Sequence, residues 1–164
     1  MTPNTSHLTE FKLYQRAHHV YSEASRVYQY QSACETNESL IKLGDLMYKS
    51  HESCKDSYEC SAPMLDKLVN LAKKHGAYGA RLTGTYNVHS FIKKLFENFN
   101  LIFLIGAGWG GCIVTLIPED QTDTFIENMK NEYFQNCPAA NGLNPSTYIF
   151  PTIPGQGAAI YNII

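Results

Sequence analysis

The densest chemical signal in the chain is a glycine-rich run, Gly106-Ala107-Gly108-Trp109-Gly110-Gly111, set behind the apolar stretch Asn100-Leu-Ile-Phe-Leu-Ile105. The spacing of Gly106, Gly108 and Gly111 formally matches the G-x-G-x-x-G fingerprint of dinucleotide sites. That fingerprint requires its last glycine to open a helix whose N-terminus meets a pyrophosphate. Here the glycines run into Cys112-Ile-Val-Thr-Leu-Ile117, a β-branched sequence that favours a strand, so the chemistry of a nicotinamide site is not supported. A glycine turn between two strands serves another purpose, because backbone without Cβ atoms reaches positive φ and lets a phosphate come close. Taken alone, the glycines leave a phosphate loop and a ligand-free hairpin equally open.

Other residue types with chemical potential group less well. His51 and Cys54 lie one helical turn apart with Cys60 nearby, but no second ligand pair at zinc-site spacing follows, and a helix surface is the expected setting. His18 and His19 are adjacent, so they point to different faces of a helix and do not act as a pair. The five cysteines (Cys34, Cys54, Cys60, Cys112, Cys137) are odd in number and irregularly spaced, which fits reduced thiols and a cytoplasmic setting. The N-terminal Met-Thr-Pro-Asn-Thr-Ser-His has neither the basic nor the apolar region of a secretory signal. A formal charge of -2 offers no basic surface for nucleic acid, and no membrane partner is expected.

The elements that must position these residues are legible from periodicity. Apolar residues Leu13, Ala17, Val20, Ala24 and Val27 recur at helical spacing between Phe11 and about Glu35, with Arg16, Glu23 and Arg26 on the remaining surface. Asn37 or Ser39 can cap a second helix carrying Leu40, Leu43, Leu46 and Met47, and Pro63 opens a third that stops at Gly76. The stretch 77–83 and the run 112–117, ended by Pro118, read as strands able to pair. A helix fits Asp120 to about Tyr133, a loop spans Cys137 to Pro145, and short strands fit 147–150 and 158–163 around a turn at Pro154-Gly155. With 44% hydrophobic residues in 164, one core is expected, and helices followed by a small sheet with a crossing helix give an α+β class.

Two longer stretches carry a resemblance. Phe11-Lys-Leu-Tyr-Gln-Arg-Ala-His-His-Val-Tyr-Ser-Glu-Ala24 and Met47-Tyr-Lys-Ser-His-Glu-Ser-Cys-Lys-Asp-Ser-Tyr-Glu-Cys-Ser-Ala-Pro63, continuing through Leu65-Asp-Lys-Leu-Val69, closely resemble the C-terminal region of galactokinases. With Gly79-Ala-Arg-Leu-Thr-Gly84 and Ala107-Gly-Trp-Gly-Gly-Cys112 they look like the third motif of the galactokinase, homoserine, mevalonate and phosphomevalonate (GHMP) kinase superfamily. Trp109 and the segment Thr2-Pro-Asn-Thr5 resemble N-acetylgalactosamine kinases in particular.

The resemblance implies a GHMP kinase C-terminal domain spanning 1–164, with helices on a small antiparallel ferredoxin-like sheet. It also implies a supporting role beside the nucleotide phosphates for Gly84, Gly106, Ala107, Gly108, Gly110 and Gly111. Family members transfer a phosphoryl group to the sugar 1-hydroxyl with ATP and Mg²⁺, but their sugar signature, Ser-rich phosphate loop and catalytic aspartate lie upstream of the matched region. The resemblance therefore implies no catalytic residue or metal ligand here, no tight ATP or Mg²⁺ binding by this portion alone, and an N-terminal kinase domain as partner. Galactose or N-acetylgalactosamine would be the substrate of the complete protein. A non-catalytic sugar sensor of the same family is the alternative. Asp56, Tyr58 and Glu59 are expected to fix helix packing and contacts to that N-terminal domain.

The motif is interrupted. In the family its two halves are continuous, whereas here the block 85–106 separates them, and removing that block restores the motif. The block is dominated by Phe, Asn, Ile, Leu, Lys and Tyr, whose codons are A/T-rich, and its ends can be encoded with splice-site sequences, so it reads as a retained intron. A real loop extension is the competing reading, since closure entropy grows slowly with length. As protein, Phe91, Ile92, Leu95, Phe96 and Phe99 fall at helical spacing ahead of the apolar Leu101 to Ile105, which predicts a sticky surface and poor solubility.

Overall fold

The computed structural model describes residues 9–83, 99–105, 111–136, 142 and 144–152. Three helices come first, α1 (Leu13–Glu35), α2 (Leu40–Glu52) and α3 (Pro63–Lys74), with a π-helical turn Ser53–Tyr58 extending α2. Four strands follow, β1 (Gly79–Thr83), β2 (Phe99–Ile105), β3 (Cys112–Pro118) and β4 (Ile149–Thr152), with α4 (Thr122–Met129) and the short α5 (Pro145–Tyr148) between the last two. The strands form one sheet of order β1-β3-β2-β4 in which every neighbouring pair is antiparallel.

β3 explains the architecture. It is buried along its whole length, so its alternate residues serve two cores. Ile113 and Ile117 pack with Leu65, Leu68 and Ala72 of α3 and with Phe125 and Met129 of α4 on one face. Val114 and Leu116 pack with Leu43 and Met47 of α2 and with Ala33 and Cys34 of α1 on the other. Helices on both faces of a central strand account for an unbroken apolar run where a half-exposed strand would alternate. The α+β class expected from the sequence is what forms, and β1 and β3 pair as expected, with Thr83 opposite Cys112.

Two sequence expectations change, and two other segments gain detail. The apolar stripe of α1 faces outward: Leu13, Val20 and Val27 are 73%, 56% and 59% exposed. Arg16, Glu23 and Arg26 instead turn toward the rest of the molecule, where α2, the π turn and β1 offer polar partners. Residues 147–150 are not a single strand. Asn144 Oδ1 accepts the Ser146 N–H at 3.1 Å and Pro145 sits at the first helical position, so a turn of helix runs to Tyr148 and the strand is Ile149–Thr152. The helix near Tyr133 begins as a 3-10 turn at Glu119 and ends in a π turn, Lys130–Phe134. Within the block 85–106, residues 99–105 form β2, hydrogen-bonded to β3 on one edge and to β4 on the other. The helical spacing read over Phe91 to Phe96 and the strand read over 158–163 lie outside the described residues.

Candidate functional site

Of the glycine-hairpin residues named from the sequence, Gly111 is described, and Gly84, Gly106, Ala107, Gly108 and Gly110 lie outside the described residues. Gly111 has φ +78, and a Cβ built on it would stand 3.0 Å from the Thr83 carbonyl oxygen. The position thus demands glycine on two counts, a left-handed backbone and a cross-strand approach too tight for a side chain. Immediately after it Cys112 begins β3 opposite Thr83, so a strand follows the glycines, as a hairpin requires and a dinucleotide fold forbids. The two separated motif halves therefore end side by side on adjacent antiparallel strands, with β2 between them in the chain.

β1 is an edge strand of the sheet, and its outward groups are held by the helices. α2 crosses it with no side chain between the two backbones. A Cβ on Gly44 would fall 1.9 Å from Tyr78 O, and one on Gly79 would fall 2.4 Å from the Gly44 Cα. Two turns further along α2, the buried His51 ring reaches the strand, its Nδ1 accepting the Leu82 N–H at 3.3 Å. Nδ1 therefore lacks a proton, and Nε2–H is left to donate to Asp66 Oδ1 at 3.2 Å. Asp66, in the first turn of α3, also accepts from Ser61 Oγ at 2.6 Å and lies 3.4 Å from Lys55 Nζ. Burial pushes His51 below the usual imidazole range, opposed by the pull of the Asp66 carboxylate.

Near the same end of β1, Glu23 of α1 gathers three partners: Ser50 Oγ donates at 2.9 Å, Arg26 Nε lies at 3.2 Å and Arg81 at 3.8 Å. Arg81 Nε also donates to the Leu82 carbonyl at 3.0 Å. The C-terminal end of β1, beside Gly111, is thus fixed from α2, α3 and α1 together. Sequence reasoning did not find Glu23, Gly44, Asp66 or Arg81 as a group. A glycine inside an otherwise helical pattern was the one available signal, and it marks the crossing at Gly44.

The remaining sequence candidates resolve into structure. His51 and Cys54 do not converge on a common point: both His51 nitrogens are engaged, and burial raises the Cys54 thiol to about 11. His18 is exposed against Tyr14, whereas His19 is buried, stacked on Tyr58 and hydrogen-bonded to Ser53 Oγ at 2.9 Å. Glu59 pairs with Lys12 and with Arg16 at 2.6 Å, and those hydrogen bonds hold its carboxyl at about 2. Tyr58 and Glu59 thus fasten the π turn to α1. Among the described residues no three metal-binding side chains come together.

Comparison with known proteins gives this geometry a context. Residues 31–86 match the family model of the GHMP kinases C terminal. Galactokinase of Dictyostelium discoideum is 33% identical over 92% of this chain and 30% of its own length. Galactokinase of Saccharomyces cerevisiae is 33% identical over 93% of this chain and 26% of its own length. The crystal structure of Lactococcus lactis galactokinase complexed with galactose superposes with a TM-score of 0.59 at 27% identity, covering 94% of this chain and 32% of that one. L. major mevalonate kinase in complex with R-mevalonate shares the fold, with a TM-score of 0.53 at 21% identity over 92% of this chain and 41% of that one. The chain spans about a third of the galactokinases it matches.

Proposed function

We propose that this chain, a GHMP kinase C-terminal domain with galactokinases among its homologues, is the C-terminal portion of an ATP-dependent sugar 1-kinase. The single observation that carries the reading is the start of β3, where Cys112 pairs with Thr83 of β1 and Gly111 sits at positive φ against the Thr83 carbonyl. Such a turn presents backbone to a phosphate without supplying acid, base or metal ligand. Its role is to complete a nucleotide site whose phosphate loop and catalytic carboxylate come from another part of the kinase. Bound there, ATP with Mg²⁺ would supply the transferable phosphoryl group, and this chain would contribute the position of the turn, held by His51, Asp66, Arg81 and Glu23.

Galactose, the sugar in the Lactococcus complex, is the first acceptor to consider. Trp109 and Thr2-Pro-Asn-Thr5 put N-acetylgalactosamine beside it. A cytoplasmic, ATP-supplied setting suits the reaction. A coupled ATP-consumption assay tests the reading. The 164-residue chain gives no turnover with either sugar. A chimera in which it replaces the aligned portion of the Dictyostelium galactokinase phosphorylates galactose. Turnover by the chain alone, or an inactive but folded chimera, overturns the proposal.

A further inference from the structure

α1 carries its apolar surface on the wrong side for a helix that packs only on its own sheet. Its inward face is largely polar: Arg16 donates to Ser57 O, His19 bonds Ser53 Oγ, and Glu23 accepts from Ser50 Oγ. Apolar burial on that face begins only at the last two turns, with Ala33 and Cys34. The outward face reads Leu13, Ala17, Val20, Ala24, Val27, a strict alternation of four and three residues, and all five are exposed. Tyr14, Tyr21 and Tyr28 repeat every seventh residue alongside, exposed at 79%, 77% and 72%. This seam runs most of a helix about 35 Å long, and such spacing is what a second helix needs to lie along it.

We infer that this seam is the docking surface for an apolar-striped helix from the part of the kinase outside the portion this chain matches. The inference rests on the reading of the chain as a kinase portion. Its large residues alternate with Ala17 and Ala24, so a partner backbone can approach closely between Leu13, Val20 and Val27, while the tyrosine row gives one wall of the groove. Some 70% of the Dictyostelium relative, the complement of the 30% matched, is available to supply that helix, and a contiguous apolar patch of this length is rare on a finished monomer. A second copy of α1 fits less well. Self-paired coiled coils set their register with charges flanking the seam. Here Arg16 and Glu23, which occupy one flank, are committed to Ser57, Glu59 and Ser50 of their own molecule, and the other flank is tyrosine.

The chimera with the Dictyostelium galactokinase provides the test, read by thermal unfolding, limited proteolysis and galactose turnover, each with and without the double substitution Val20→Asp, Val27→Asp. In the chain alone the substitutions leave the melting temperature within about 2 °C, because both positions face water. In the chimera they lower it by at least about 5 °C and let protease separate the two portions. Ile41→Asp, equally exposed on α2 but away from the seam, changes neither. A chimera that turns over galactose and is indifferent to the double substitution overturns the docking surface and leaves the kinase reading standing. A folded chimera without turnover and without sensitivity overturns both. A chain that dimerises alone, and becomes monomeric on Val20→Asp, assigns the seam to a second copy and overturns the proposal.

Discussion

His51 shows how a single buried side chain ties a helix to the edge of a sheet. Its unprotonated Nδ1 is the partner of the Leu82 N–H, so a proton on that atom removes the acceptor and leaves two buried groups facing each other as donors. The charged groups around it are Asp66, which favours the charged ring, and Lys55 and Arg81, which oppose it, with burial the largest influence. Because the folded pKa lies below the unfolded value, the unfolded chain binds more protons as pH falls through about 6.5 and below. The stability supplied by His51 is thus present at neutral pH and lost on acidification. By NMR the ring should titrate below about 6.5, and Asp66→Asn should move it lower still, since the carboxylate is the main influence holding it up. An upward movement would show that Asp66 is not the partner. Sequence pattern placed His51 and Cys54 one turn apart and suggested ligands; what it could not show was that a strand amide from thirty-one residues away had already claimed the ring.

Elements were read more reliably than their orientation. The periodicity of α1, α2, α3 and β3 is strong enough to locate each of them, yet for α1 it pointed the wrong face inward. Hydrophobic spacing reports that an apolar stripe will be covered, and says nothing about which molecule or portion covers it. The crossing of α2 over β1 was hidden for a different reason: glycine has no side chain, so a backbone contact leaves only an absence in the sequence. That contact predicts a specific intolerance. Gly44→Ala improves helix propensity by about 1 kcal/mol but forces a Cβ to within 1.9 Å of the Tyr78 carbonyl oxygen. Neither partner is a flexible side chain, so relaxation requires separating α2 from the sheet. A net loss of about 2 kcal/mol, seen as a melting temperature lower by roughly 4–8 °C, is expected. An unchanged or raised value would mean that α2 and β1 are farther apart than the structure places them.

At the scale of the whole molecule, the block 85–106 and the sheet make opposing demands. The sequence shows a motif that closes when the block is removed, and the structure puts the two ends of that break at a hydrogen-bonded strand pair, Thr83 and Cys112, so excision joins Gly84 to Ala107 across a gap that a glycine turn spans. Yet residues 99–105 lie between β3 and β4, and removing them leaves the far edge of β3 open and β4 without its neighbour. Which demand wins depends on whether β4 can move one strand spacing inward, about 4.8 Å. Ile149 belongs to the same buried cluster as Ile113 and Ile117 of β3, so β4 already shares the core that would receive it. Leu104 pairs with Ile113 on one edge and with Ile149 on the other, which places β4 in a register that β3 could accept directly. We therefore propose the block as an intruder in a sheet that is complete without it, and expect the 85–106 deletion to be monomeric, more soluble than the full chain and to melt cooperatively at an equal or higher temperature. The Tyr78 amide, which donates to the Leu116 carbonyl at 2.9 Å, should keep its protection from hydrogen exchange, since the β1–β3 pair is untouched. A deletion that melts more than about 5 °C lower, or that loses protection along β3, would make β2 an integral strand and the block a genuine part of the protein.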